Sequence, residues 1–161
     1  MYEFIVRETD LSSLSKKGRQ HAEELIRLLS KTLSGENQKC IRKPSDVYDM
    51  SLDLIYEKKE HFIMFVLNSK NKVLMRKTVS IGSLNASIVH PREVFSEAIV
   101  QGAASIICVH NHPSGDPTPS PEDLEVTRRL VAAGEIIGIQ VLDHIIVGQH
   151  GFYSMKEMGE F

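Results

Sequence analysis

Apolar and polar positions change their period several times along the chain, and each change marks an element. From Leu11 to Leu33 the spacing is helical. Leu14, His21, Leu25, Leu28 and Leu29 fall near one face, and Ser34-Gly35 stops the run. Glu36 to Lys43 is a polar linker. Ser45 can cap a second helix reaching about Lys59, with Val47, Leu52, Leu54 and Ile55 as its apolar positions. His61 to Leu67 is bulky and apolar, the signature of a buried strand. Asn68-Ser69-Lys70-Asn71 is turn chemistry, and Lys72 to Ser80 returns as a hairpin partner. Gly82-Ser83-Leu84-Asn85 is loop, and Ser87 to His90 reads as a short strand. Pro91 then opens a helix with Val94, Phe95, Ala98 and Ile99 along one side, stopped at Gly102. Ala104 to His110 is a strand, Asn111 to Pro119 a loop, and Ser120 starts a helix ending near Gly134. Ile136 to Val147 supplies one or two more strands, broken by Gly138 and ended by Gly148. This order predicts an α/β fold, a mixed sheet sandwiched by helices. Residues 1–43 form a helical lead and linker, and 44–161 form the domain proper.

Composition narrows the possibilities. A chain of 161 residues with 42% hydrophobic content can bury a sizeable core in one domain. Its formal net charge of -2 gives no support to strong non-specific DNA binding, which usually needs a basic excess. Lys16-Lys17-Gly18-Arg19 and Glu57-Lys58-Lys59-Glu60 read as solvated faces. Cys40 and Cys108 are the two cysteines, so there is no disulfide framework and no Cys-x-x-Cys pair. The start MYEFIVRETD has no signal-peptide pattern, and no apolar run approaches membrane-spanning length. A cytoplasmic setting is expected.

The candidate chemistry lies in HNHPSGDPTPSPED, from His110 to Asp123. His110 and His112 are two apart at a strand end. Alternation sends both rings to one face, with their Cα atoms roughly 6.6 Å apart. Rings leaning inward can share an ion at Zn–N bonds of about 2.0–2.1 Å. Pro113 ends the ladder. Ser120-Pro121-Glu122-Asp123 is a good helix start, and Ser120 and Asp123 can simply cap it. The cap is compatible with a site, because the first turn aims the Asp123 carboxylate outward. Two imidazoles, one carboxylate and a water make an open zinc site of the catalytic kind.

His-x-His-Pro, six residues, then Ser-x-x-Asp resembles the JAMM (MPN+) metalloproteases, and the longer run resembles their RadC branch. VHPREVF (Val89–Phe95) and LDHIIVG (Leu142–Gly148) are similar to RadC-type sequences. The resemblance covers about Ser45 to the C-terminus. It implies a cytidine-deaminase-like α/β fold and zinc held by His110, His112 and Asp123. It also implies hydrolysis of an amide or isopeptide bond in a protein or peptide, and a catalytic Glu upstream. Glu60, at the start of the strand Phe62 to Leu67, fits that role. Glu57, on the preceding helix, is its rival, and Glu93 and Glu97 fit less well. In that scheme Glu60 takes a proton from the zinc-activated water and passes it to the leaving amine, and Ser120 donates to the oxyanion.

Other residues carry open alternatives. Cys108 shares a strand face with His110 and is either a fourth ligand or, more often for such a cysteine, a small buried hydrophobe. His144 either supports the site or is a satisfied core histidine. His61 and His90 show no partner in the sequence, and His150 falls in a terminal loop. Asp116 suits a turn, and Asn111 and Ser114 can shape the cleft. Non-enzymatic alternatives are a metal-free interaction module and a DNA-repair-associated role. A nucleoside deaminase is excluded, since its Pro-Cys-x-x-Cys is missing.

Overall fold

The computed structural model describes residues 14–33, 39–82 and 89–161. The chain divides into two units, 1–38 and 39–161. In the first, helix α1 runs Lys16–Leu33. It starts after the expected Leu11 because Ser15 caps it: the Gly18 amide donates to Ser15 Oγ at 3.2 Å. Residues 11–13, the stop at Ser34-Gly35 and the side chains of Leu28 and Leu29 lie outside the described residues.

In the second unit, α2 (Pro44–Asp49) is followed by a separate 3-10 turn, Leu52–Tyr56. The single helix expected from Ser45 to Lys59 is therefore two shorter pieces. Asp46 sets the first boundary: its Oδ2 accepts from the Arg42 and Lys43 amides at 2.8 and 3.2 Å, which makes Lys43 the cap in place of Ser45. Then come β1 (His61–Leu67), β2 (Val73–Ile81), α3 (Pro91–Val100) and β3 (Ser105–Asn111). Helix α4 (Pro121–Ile137), β4 (Gln140–Gly148) and β5 (Gly151–Ser154) complete the unit. Of the expected short strand Ser87–His90, residues 87 and 88 lie outside the described set, and His90 is the cap of α3. Ile136 and Ile137 belong to the last turn of α4, not to a strand. Gly138, at φ 82°, ends that helix in the left-handed conformation open to glycine.

Among the described residues the strands form one mixed sheet in the order β2-β1-β3-β4-β5. Only β3 and β4 run parallel, joined through α4. Alternation splits the core in two. Phe62, Met64, Val66, Ile106 and Cys108 face α3 and α4, packing on Val94, Phe95, Ala98, Val126 and Leu130. Ile63, Phe65, Leu67, Ile107 and Val109 face the other way, against Val47 of α2 and Leu54. Each such buried Val, Leu, Ile, Phe or Met side chain is worth about 1.5–3 kcal/mol of transfer free energy. The expected α/β sandwich is what forms.

One irregularity matters for the site. Ile106 pairs with Val141, but Ile107 pairs with Asp143, so Leu142 is an extra residue in β4. The bulge reverses the alternation. His144 thereby shares the α3/α4 face with Cys108 and His110, while Asp143, Ile145 and Val147 turn to the other face. The four-residue β5 was not expected; Asp143 fastens its end. Asp143 Oδ2 accepts from Ser154 Oγ at 2.6 Å, and Oδ1 accepts from the Lys156 amide at 3.1 Å.

At the end of β4, Gly148 lets the loop after β3 come close. A Cβ there would sit 2.5 Å from the Gly115 carbonyl oxygen and 2.8 Å from Pro117 Cδ. Gly148→Ala is expected to cost about 1–3 kcal/mol, read as a lower urea midpoint at unchanged slope. An unchanged midpoint would mean that the loop does not depend on this close approach.

Candidate metal centre

The open end of the sheet builds the site. His110 is the penultimate residue of β3 and fully buried. The backbone runs one bond further, His112 N donating to Val147 O at 3.0 Å, before Pro113 turns it away. The loop then folds back beneath the His112 ring, whose Nδ1 lies 2.8 Å from the Asp116 carbonyl oxygen. A carbonyl only accepts, so Nδ1 carries the proton and Nε2 presents a lone pair. The Asp116 carboxylate makes the turn, accepting from Thr118 N and Oγ1 at 2.9 and 2.7 Å, and is no ligand.

Helix α4 brings the acid. Ser120 is the cap, Pro121 the first helical residue and Asp123 the third. The Ser120 amide and hydroxyl both donate to Asp123 Oδ2, at 2.8 and 2.7 Å. Oδ1 then lies 3.2 Å from His110 Nε2, and Oδ2 lies 3.3 Å from His112 Nε2. The two Nε2 atoms are 3.0 Å apart. Among the described residues these three form a group whose ligand atoms all lie within 4.8 Å of one another. Two imidazole nitrogens and a carboxylate suit a divalent ion such as zinc, and the cleft on one side leaves space for a further ligand.

Electrostatics follow from the burial. Burial works to raise the Asp123 carboxyl, but His110, His112 and Ser120 outweigh it and hold it far below the carboxylate range. The Asp123 carboxylate raises His112 above an ordinary imidazole. Burial dominates at His110 and lowers it. Cys108 is not in the ligand group; burial pushes its thiol up to about 12, and it packs as a small apolar residue.

Glu60 reaches the same place by strand register. Phe62 pairs with His110 in the antiparallel β1–β3 ladder, so two residues back Glu60 stands level with His112. It lines an open cleft of about 490 Å³ with His112, Pro113, Ser114, Ser120, Glu122 and Asp123. Its charge bears on both rings. The buried Asn111 fixes the Glu60 backbone from both sides: its Oδ1 accepts from the His61 amide at 2.8 Å, and its Nδ2 donates to the Lys59 carbonyl at 3.1 Å. Glu57 follows the 3-10 turn rather than sitting on a helix, 3.9 Å from His61 Nε2 and outside the cleft lining. Glu93 pairs with Arg92, and Glu97 pairs with Lys77.

The histidines without partners in the sequence acquire them. His90 Nδ1 accepts from the Arg92 amide at 3.1 Å, and His61 Nδ1 lies 3.0 Å from the Lys59 carbonyl oxygen. His150 lies in the β4–β5 turn rather than a terminal loop. His144 is buried with Nε2 2.8 Å from His110 Nδ1. The sequence leaves its role open, and no local pattern marks Thr127, whose Oγ1 lies 2.5 Å from His144 Nδ1.

A family model for the RadC-like JAB domain matches residues 41–160. The chain belongs to the RadC-like JAB family. The resemblance seen in the histidine-rich segment is thus correct, and the mixed sheet with its helices is consistent with the JAB/MPN domain. The chain is 60% identical over 128 residues to a UPF0758 protein of Bacillus cereus (strain G9842), which covers 79% of this chain and 57% of the relative. It is 59% identical over the same length, with the same coverage, to a UPF0758 protein of Bacillus mycoides (strain KBAB4). The chain therefore spans a little over half the length of these RadC-like relatives.

The Asn111 clamp can be tested without chemistry. Asn111→Ala strips the partners from a part-buried amide and carbonyl, which costs about 1–3 kcal/mol. The His61 amide is expected to exchange hydrogen faster than in the wild type while bound metal per chain stays the same. Unchanged protection at His61 would remove Asn111 from the support of Glu60.

Proposed function

We propose that this RadC-like domain is a zinc-dependent hydrolase that cleaves an amide or isopeptide bond in a protein or peptide. The observation that carries the reading is the convergence of His110 Nε2, His112 Nε2 and the Asp123 carboxylate beside a cleft that also holds Glu60. These three side chains would hold the ion. When bound, zinc supplies a Lewis acid that acidifies a water and polarises a carbonyl.

The other steps fall to the chain's own residues. Glu60, half-buried at the cleft wall, takes the proton of the attacking water and delivers it to the departing amine. The buried His110 and Asp123 form the inner side of the site, and His112 lines the cleft. Ser120 has a single hydroxyl proton, which points to Asp123 Oδ2. Holding that carboxylate is its first role. Donation to the developing oxyanion requires the hydroxyl to turn into the cleft that Ser120 also lines.

The unpaired Cys40 and Cys108 suit a reducing, cytoplasmic location, and among the described residues no helix is long and apolar enough to cross a membrane. The charge balance gives a DNA-associated role no support, and a scaffold has no need for a converged ligand set.

Metal analysis is expected to find about one zinc per chain, lost in His110→Ala. Cleavage of a peptide library is expected to fall by about 10²–10⁴-fold in Glu60→Gln with zinc retained. Turnover surviving that substitution would take Glu60 out of the mechanism. Ser120→Ala separates its two roles: weaker zinc binding points to the carboxylate, while a lower kcat at unchanged zinc affinity points to the oxyanion.

A further inference from the structure

A chain of short hydrogen bonds runs behind the ligand group. The Thr127 hydroxyl donates to the Asp123 backbone carbonyl at 2.6 Å, and Thr127 Oγ1 lies 2.5 Å from His144 Nδ1. His144 Nε2 lies 2.8 Å from His110 Nδ1. All four residues are buried, so water does not compete. The direction of the chain follows from its fixed end. A carbonyl oxygen accepts and never donates, so the one hydroxyl proton of Thr127 goes to Asp123 O. Met155 Sδ, at 3.2 Å, is a weak rival acceptor. With its proton on Asp123 O, Thr127 Oγ1 accepts from His144 Nδ1–H. That leaves His144 Nε2 as an acceptor, and the proton between the rings belongs to His110 Nδ1. The reverse chain would put a proton on His110 Nε2, where it would donate to Asp123 Oδ1 and leave no lone pair for an ion.

We propose that His144 and Thr127 are positioning residues that hold His110 in the Nδ1–H tautomer, with its Nε2 lone pair aimed into the ligand group. The proposal rests on the reading that His110, His112 and Asp123 hold an ion. Three further observations support it. The Leu142 bulge is what brings His144 onto the face of His110. Phe62 fixes both rings, stacking on His110 at a 6.2 Å centroid distance and meeting His144 edge-on at 5.3 Å. The relay also ends on Asp123, so a ligand that offers its side chain to the ion sets the tautomer of its neighbour through its backbone. His112 reaches the same result independently through the Asp116 carbonyl. Both rings thus give Nδ1–H to a protein acceptor, the usual arrangement for a metal-bound imidazole.

The test reads the tautomers directly. Two-bond nitrogen–proton correlation spectra of ¹⁵N-histidine-labelled protein, stripped of metal, should show Nδ1–H on both His110 and His144. An Nε2–H signal on either ring overturns the proposal, whether or not the protein binds zinc. The second measurement is the zinc Kd by competition with a chromophoric chelator. Thr127→Val keeps the shape of the side chain but removes the acceptor for His144 Nδ1–H. It should weaken zinc binding by about 10–100-fold, and Thr127→Ser should restore it. A Thr127→Val protein that melts lower yet keeps the wild-type Kd would assign Thr127 to packing and sink the relay. Wild-type protein that takes up no zinc would instead refute the metal reading, and the tautomer spectra would still decide the relay.

Discussion

A carboxylate sealed away from water must be compensated, and the site depends on how Asp123 is compensated. It is 2% exposed, wedged between the first turn of α4 and the end of β3. Desolvation alone would drive it to the neutral acid. It instead sits between an amide and a hydroxyl of Ser120 on one side and two imidazole nitrogens on the other. The Ser120 contacts are ordinary capping. The imidazole contacts are different, because His112 Nδ1 already has its proton committed to Asp116. A neutral His112 then has no proton for Asp123, and positive charge must come from an added proton or an ion. A burial problem for one helix start is thereby an attraction for a cation at the same point.

Local chemistry made that much legible. His110 and His112 announce themselves by alternation, Pro113 by the break it imposes, and Ser120 to Asp123 by a capping pattern that holds in any fold. The hairpin, the central strands and the Pro-started α3 were readable for the same reason: each rests on residues adjacent in the chain. The failures have one source as well. The start of α2 depends on Asp46 reaching back to two amides, and Ile136-Ile137 look like a strand until Gly138 ends the helix. The short β5 is held by Asp143, a residue with no strand signal.

The supporting residues of the site were harder still. Asn111 lies between His110 and His112 in sequence, yet its side chain serves a backbone segment some fifty residues earlier. Nothing in HNHP says so. The link exists because β1 and β3 are antiparallel neighbours, which brings the start of one beside the end of the other. The same register carries Glu60 to the cleft. A strand-start glutamate is unremarkable alone and becomes a candidate base only once its partner strand is known. The general point is physical: ligands can be local in sequence, while their orientation is a tertiary property.

The bulge at Leu142 takes this further. Had β4 kept a strict two-residue period from Val141, His144 would face α2 and Asp143 would face α4. The buried ring would then have no contact with His110, and a carboxylate would lie among apolar side chains of the α3/α4 layer. One inserted residue corrects both placements together. It turns Asp143 toward Ser154 and Lys156, where β5 needs an anchor, and turns His144 toward His110. A local fault in the ladder gives up regular pairing at one position and in exchange aligns two polar residues with their separate tasks. That is a stronger constraint than either task alone, because restoring the regular strand would misplace both.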